Sequence, residues 1–282
     1  MSGGRILSTV EELAGALERE PPALLDVRWA LGDPSGHEHY LAGHIPGAVF
    51  TDLDRELSAP ASAAGGRHPL PDPGDLEAAA RRWGVRHGAA VVVYDDNASM
   101  SAARAWWLLR WAGVDDVTIL DGGLAAWKGS GRGLQTGETV AARAGDVVLR
   151  AGALAVLGSD EAAALARAGL LLDARAGERY RGEAEPIDPR AGHIPGAVSA
   201  PTSENVGPDG RFLDAVLLRS RFGALGASAD SAIGVYCGSG VSAAHEIAAL
   251  ALAGFDAALF PGSWSAWSAD PGRAAATGAE PG

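Results

Sequence analysis

The chain has 282 residues, of which 47% are hydrophobic and 21% charged, the make-up of a soluble globular protein with one large or two ordinary domains. Its net charge of −12 is spread along the chain without a basic patch, which argues against nucleic acid as a partner. No apolar run approaches the roughly 18 residues of a membrane span, so no membrane partner is expected either.

The stretch from Met1 to Ser8 has no long apolar core and reads as no secretory leader, so a cytoplasmic location is the expectation. Strands are predicted over 23–27 and 48–50. A helix follows over 75–83, then a strand over 90–94, a helix over 101–111 and a strand over 117–120. The stretch 129–145, rich in Gly, Thr and Arg, reads as a linker. A second series follows: strands over 170–173 and 233–236, a helix over 241–252 and a strand over 257–260. The tail after Trp267 is small and polar and reads as frayed. Such alternation of strand and helix indicates an α/β fold, each unit a mainly parallel sheet covered by helices on both faces.

The two series are copies. Leu24-Leu-Asp-Val-Arg returns as Leu171-Leu-Asp-Ala-Arg, and Gly43-His-Ile-Pro-Gly-Ala-Val returns unchanged from Gly192. Val91-Val-Val-Tyr-Asp-Asp matches Ile233-Gly-Val-Tyr-Cys-Gly, and Asp121-Gly-Gly-Leu-Ala-Ala-Trp matches Pro261-Gly-Ser-Trp-Ser-Ala-Trp. Four matches in one order, at offsets between 140 (121 to 261) and 149 (43 to 192) residues, define a tandem duplication. We divide the chain into a first domain at 1–130, a linker at 131–150 and a second domain at 151–282. His44 and His193 occur in both copies and are read as shaping a turn, not as catalysts.

Cys237 is the only cysteine, which excludes an internal disulfide, a CxxC pair and a thiol-rich metal cluster. It stands where a strand gives way to a helix, within Cys237-Gly-Ser-Gly-Val-Ser-Ala. Gly238 and Gly240 allow a tight loop whose amides turn inward, a setting that favours an anion on the sulfur. At the matching position the first copy has Asp95, so that copy holds no nucleophile. A cysteine phosphatase would need arginine at 243, in the Cys-x5-Arg pattern, and the residue there is Ala243. A small adduct such as a persulfide suits the loop better. An inert buried cysteine is the competing interpretation, weakened by the flanking glycines and by the place of such loops at the carboxyl edge of parallel sheets.

Taken together, the paired Gly-His-Ile-Pro-Gly motifs, Asp121-Gly-Gly-Leu-Ala-Ala-Trp, Pro261-Gly-Ser-Trp and Cys237-Gly-Ser-Gly-Val-Ser resemble the two-domain rhodanese-type sulfurtransferases from about Leu24 to Trp267. The resemblance implies tandem rhodanese-like domains, a silent first domain and a persulfide on Cys237. It also implies a division by loop: Cys-Arg-Lys-Gly-Val-Thr in thiosulfate sulfurtransferases, Cys-Gly-Ser-Gly-Val-Thr in 3-mercaptopyruvate sulfurtransferases. The present loop is similar to the second, with Ser242 for threonine. By the same resemblance Arg179 binds the donor, and Arg190 replaces a second arginine whose place is taken by Ile187. Ser239, His68 and Asp54 relay protons, while Gly238, Gly240, Val241 and Ser242 line the adduct.

The expected reaction moves sulfur from 3-mercaptopyruvate to a thiol or cyanide acceptor and releases pyruvate, without metal or organic cofactor. Substrate is expected in the cleft between the copies. Thiosulfate as donor, or a persulfide carrier serving a partner protein, are the alternatives.

Overall fold

A computed structural model of the chain describes residues 4–282. Met1, Ser2 and Gly3, the start of the stretch read above for a leader, lie outside the described residues. The chain forms two compact units. The first takes the chain up to Ala59, then Pro71–Leu154 and Pro208–Phe212; the second takes Pro60–Leu70, Ala155–Gly207 and Leu213–Gly282. The halves therefore exchange short segments: Pro60–Leu70, from the first half of the sequence, belongs to the second unit.

The first unit runs β1 (Leu7–Ser8), α1 (Val10–Arg19), β2 (Ala23–Asp26), α2 (Gly36–Ala42), β3 (Val49–Phe50), α3 (Leu53–Glu56), α4 (Pro73–Arg82), β4 (Val91–Tyr94), α5 (Ala102–Trp111), β5 (Val117–Leu120) and α6 (Gly123–Gly129). Its sheet has the order β1-β5-β4-β2-β3, and every pair is parallel. The second unit runs α7 (Ser159–Ala168), β6 (Leu170–Asp173), α8 (Gly177–Tyr180), β7 (Val198–Ser199), α9 (Ala215–Ala224), β8 (Ile233–Tyr236), α10 (Ser242–Leu252), β9 (Ala258–Leu259) and α11 (Ser263–Ala269). Its sheet, β7-β6-β8-β9, is again wholly parallel. The central strands β4, β5, β6 and β8 are buried at every residue. That is the burial expected of parallel strands covered on both faces, and it explains why they read as unbroken apolar runs.

The duplication extends into the cores. Leu24, Ile45, Ala48, Tyr94, Leu124 and Trp127 cluster in the first unit; Leu171, Ile194, Ala197, Tyr236, Trp264 and Trp267 cluster in the second. Both Gly-His-Ile-Pro-Gly turns are tied down alike. The Tyr94 hydroxyl accepts the Ile45 amide at 3.0 Å and the Tyr236 hydroxyl accepts that of Ile194 at 3.1 Å. His44 Nδ1 lies 2.9 Å from the Tyr40 carbonyl, and His193 Nδ1 lies 2.8 Å from that of Tyr180. The two imidazoles are buried and stacked on those tyrosines, as turn-shaping residues should be.

Two stretches differ from expectation. The segment read as a linker packs on the first unit: the Gln135 and His44 amides each donate to the other's carbonyl at 2.9 Å, and the Arg150 amide donates to the Ala112 carbonyl at 2.9 Å. The tail read as frayed is held in place. Ala276 bridges His193, and the Gly278 amide donates to the Arg181 carbonyl at 2.9 Å. Trp267 Nε1 donates to the Ala274 carbonyl at 2.8 Å. These are tertiary hydrogen bonds, which small polar residues accept as readily as any, because the backbone supplies them.

Candidate active site

β8 ends at Tyr236 and α10 begins at Ser242, so Cys237 to Val241 make the turn at the carboxyl edge of the second sheet. Cys237 is only 2% exposed. The Gly240 amide donates to Cys237 Sγ at 3.0 Å, the contact expected of a loop folded around an anionic sulfur. Gly240 has φ +81°, and a Cβ there would lie 2.7 Å from the Pro261 carbonyl oxygen, so both the conformation and the space require glycine.

The loop is clamped from behind by the start of α11. The Trp264 amide donates to the Cys237 carbonyl and the Ser265 amide to the Gly238 carbonyl, both at 2.9 Å. Ser263 has φ +52°, uncommon for a residue with a Cβ, and its hydroxyl compensates. It accepts the Cys237 amide at 3.1 Å and donates to the Phe260 carbonyl at 2.9 Å.

On the outer side, Pro60–Leu70 closes over the loop as part of the same unit. His68 Nδ1 lies 2.7 Å from Ser239 Oγ, and both side chains are buried. The Arg67 amide donates to Ser265 Oγ at 3.1 Å. A Cβ on Gly66, at φ +81°, would lie 2.5 Å from both the Gly262 carbonyl oxygen and Ser265 Oγ, so this approach also depends on glycine.

Charges continue the site outward as an alternating chain. Asp173 pairs with Arg175 at 2.5 Å, and Arg175 reaches Glu185 at 3.4 Å. Arg179 Nη2 bonds Glu185 at 2.6 Å and Asp188 at 3.1 Å, and Arg67 Nη1 pairs with Asp188. Burial pushes the Asp188 carboxyl up, against the pull of Arg67. A Cβ on Gly238 would lie 2.9 Å from Arg67 Nη2 and 3.4 Å from Arg179 Nη1. Both guanidinium groups thus rest on the residue that follows the thiol.

Of the residues singled out in the sequence, Cys237, Gly238, Ser239, Gly240, Val241, Ser242, His68 and Arg179 come together in the second unit. Asp54 lies on α3 of the first unit, where it accepts Trp29 Nε1 at 3.1 Å. The Arg190 guanidinium donates to the carbonyls of Ser268 (2.8 Å), Arg273 (2.7 Å), Trp267 (2.9 Å) and Asp270 (2.7 Å) and so braces the tail. Sequence reasoning missed Arg67, Glu185 and Asp188. Arg67 adjoins His68, but 22 of the 23 basic residues are arginine, all except Lys128, so one more gave no signal.

This architecture and loop define the class. The family model described as "Rhodanese-like domain" matches residues 9–130 and 159–270, and the chain belongs to that family in two copies. Over 286 residues it is 50% identical to a Pseudomonas aeruginosa protein named as a 3-mercaptopyruvate sulfurtransferase, covering 99% of this chain and 100% of that one. It is 49% identical over 277 residues to a Mycobacterium tuberculosis protein named as the thiosulfate sulfurtransferase SseB, covering 96% of each. Among solved structures, SseA of Escherichia coli, described with the rhodanese fold of 3-mercaptopyruvate sulfotransferases, matches with TM-score 0.79 and 34% identity over 92% of this chain and 98% of that one. Among the described residues no helix is long and apolar enough to cross a membrane.

Proposed function

We propose that the protein is a sulfurtransferase that takes sulfur from 3-mercaptopyruvate onto Cys237 and passes it to a thiol or to cyanide. The observation that carries this reading is the Cys237 thiol folded into its own loop, with the Gly240 amide on sulfur, beside the buried Ser239–His68 pair.

The Cys237 thiolate attacks the donor sulfur. A sulfur–sulfur bond forms, the carbon–sulfur bond breaks, and its electron pair leaves on the enolate of pyruvate. The proton originally on the donor thiol ends on the enolate carbon through Ser239 and His68. The enzyme is left as Cys237–S–S⁻ with pyruvate released, so atoms and charge balance. Loop amides hold the developing anion, a role worth about 10²–10³-fold per donor in comparable sites. The acceptor then attacks the outer sulfur and regenerates the thiolate. Asp95 gives the first domain no part in the sulfur chemistry. A single thiol that must stay reduced between turnovers fits the cytoplasm.

The donor choice rests on the loop. Gly238 and Ser239 bring no cation of their own, and the Arg67 and Arg179 guanidinium groups on Gly238 are already paired with Asp188 and Glu185, whereas doubly charged thiosulfate gains from unpaired cations beside the sulfur. The name of the M. tuberculosis relative favours thiosulfate as the second reading. Measuring kcat/KM for both donors on one preparation separates the two. We expect mercaptopyruvate to lead by about tenfold or more, and a comparable thiosulfate preference would overturn the choice.

A further inference from the structure

The first unit lacks the thiol but keeps the frame of a site at the carboxyl edge of its sheet. Arg28 follows β2 as Arg175 follows β6. Both arginines are buried and tied to the aspartate two residues earlier, Arg28 to Asp26 at 2.7 Å and Arg175 to Asp173 at 2.5 Å. What covers them differs. In the second unit the Arg175 guanidinium lies 4.7 Å from the centroid of the Trp264 ring, and Trp264 Nε1 donates to the Arg190 carbonyl at 2.9 Å. At the position of Trp264 the first unit has Leu124. Leucine fills less space and offers no ring face. Arg28 and Leu124 there line a cavity of about 350 Å³, together with Asp33, Asp96, Lys128 and Leu134 among others. Its size and its place are those of a small-molecule site.

The charges of its wall single out a class of ligand. Arg28 is 5% exposed. Its Nη1 donates to the His39 and Gly43 carbonyls and its Nη2 to Asp26, while Nε is buried without a hydrogen bond, 3.7 Å from Asp96 Oδ2. A buried donor that lacks an acceptor is costly, and a ligand carboxylate satisfies it. Asp26 already balances Arg28, and His39 Nε2 lies 3.1 Å from Asp33. Among the lining residues this leaves Asp96 and Lys128, the only lysine of the chain, as one charge of each sign.

We propose that this cavity binds a zwitterionic α-amino acid with an aliphatic side chain. The carboxylate takes the Arg28 Nε–H and Lys128, the ammonium group takes Asp96, and the side chain packs on Leu124 and Leu134. An anion alone sets its charge against Asp96, and a cation alone leaves Arg28 Nε unsatisfied, so the site selects the molecule that carries both. The second unit has no equivalent, because Trp264 covers Arg175 and Gly238 stands at the position of Asp96.

The test is isothermal titration calorimetry of the full chain with L-leucine, beside 4-methylpentanoate, which lacks the ammonium group, and 3-methylbutylamine, which lacks the carboxylate. Leucine should bind with a Kd below about 1 mM, and each half-molecule at least about tenfold more weakly. Asp96→Asn and Lys128→Met should each weaken leucine by about fivefold or more. Leu124→Trp, which copies the cover of the second unit, should abolish the heat of binding. No heat with leucine at about 10 mM overturns the proposal, as does a half-molecule that binds as tightly as leucine. Unchanged leucine affinity in either charge variant, or in a folded Leu124→Trp protein, also overturns it. Should Leu124→Trp fail to fold, the charge variants and the half-molecules still decide. The readout is binding and does not depend on the chemistry of Cys237.

Discussion

The loops Asp95 to Ala102 and Cys237 to Ala244 follow equivalent strands and enter equivalent helices, yet they resolve the same electrostatic situation in opposite ways. In the first unit the Asp95 carboxylate accepts four amides of its own loop. Asn97 and Ser99 each donate at 2.9 Å to Oδ1, and Ser101 and Ala102 each donate at 2.8 Å to Oδ2. By position, those amides correspond to Ser239, Val241, Ala243 and Ala244 in the second unit. There the residue at the strand end is a thiol, reached by the Gly240 amide alone among the bonds described for Sγ. The rear clamp is shared. The Leu124 amide donates to the Asp95 carbonyl at 2.8 Å as that of Trp264 does to Cys237, and Gly123 has φ +53° where Ser263 has +52°. An anion-binding turn is thus built twice. One copy carries its own carboxyl on the chain, which burial pushes up and the four amides pull down, and in our account the other is completed by the sulfur it receives.

The largest expected effect breaks the asymmetry at its origin. Cys237→Ser should lower sulfur transfer by at least about 10³-fold, whereas Asp95→Asn should leave kcat within about twofold, measured with one donor at saturation. The next concerns the two third-position residues. Gly240→Ala forces a Cβ to 2.7 Å from the Pro261 carbonyl at φ +81°, and should cost about 2–4 kcal/mol of unfolding free energy together with most activity. Its counterpart Ala98 already sits at φ +50°, so Ala98→Gly should change stability by no more than about 1 kcal/mol in denaturant titration.

Asp95→Asn sharpens the comparison on the structural side. The amide keeps one acceptor oxygen and turns an NH₂ toward amides that also donate. Thermal or urea unfolding should show a loss of about 2–3 kcal/mol.

How much of this was legible in the chain follows from where the information lies. Repeated apolar runs ending in Asp-x-Arg and Tyr, and the unchanged Gly-His-Ile-Pro-Gly, exposed the duplication because local strand and turn chemistry writes itself into consecutive residues. Cys237 was legible because glycines flank a unique thiol. The tail was not: its order comes from Arg190 reaching across to carbonyls at Trp267, Ser268, Asp270 and Arg273, which leaves no mark in tail composition. Nor was it legible that His68 and Arg67 travel with the second unit, since membership of Pro60–Leu70 is decided by tertiary packing. Short helices such as α8 and the opening β1–α1 pair escaped notice. The Thr9–Glu12 capping box at the start of α1 was the signal that could have found the latter.

A last effect, read by pH and not by substitution, lies beneath the loop of the first unit. Asp26 pairs with Arg28 at 2.7 Å, yet burial pushes its carboxyl up to about 6 from 3.8, with Arg28 only partly opposing. The folded state then holds this proton more tightly than the unfolded chain. The stabilisation is full below the unfolded value near 3.8 and is lost as pH rises to about 6, an effect of up to about 3 kcal/mol. Carboxyl-carbon NMR should place the Asp26 titration near 6; a midpoint near 3.8 would remove the term.

The central claim is that the Cys237 loop is an anion cradle completed by donated sulfur. Its most direct test is intact-mass and peptide mass spectrometry after adding 3-mercaptopyruvate without acceptor. The account expects one added sulfur on the Cys237 peptide of the wild type and of Asp95→Asn, discharged stoichiometrically by cyanide. Pyruvate release that continues through repeated turnovers in Cys237→Ser, or an added sulfur that cyanide does not remove, would contradict it.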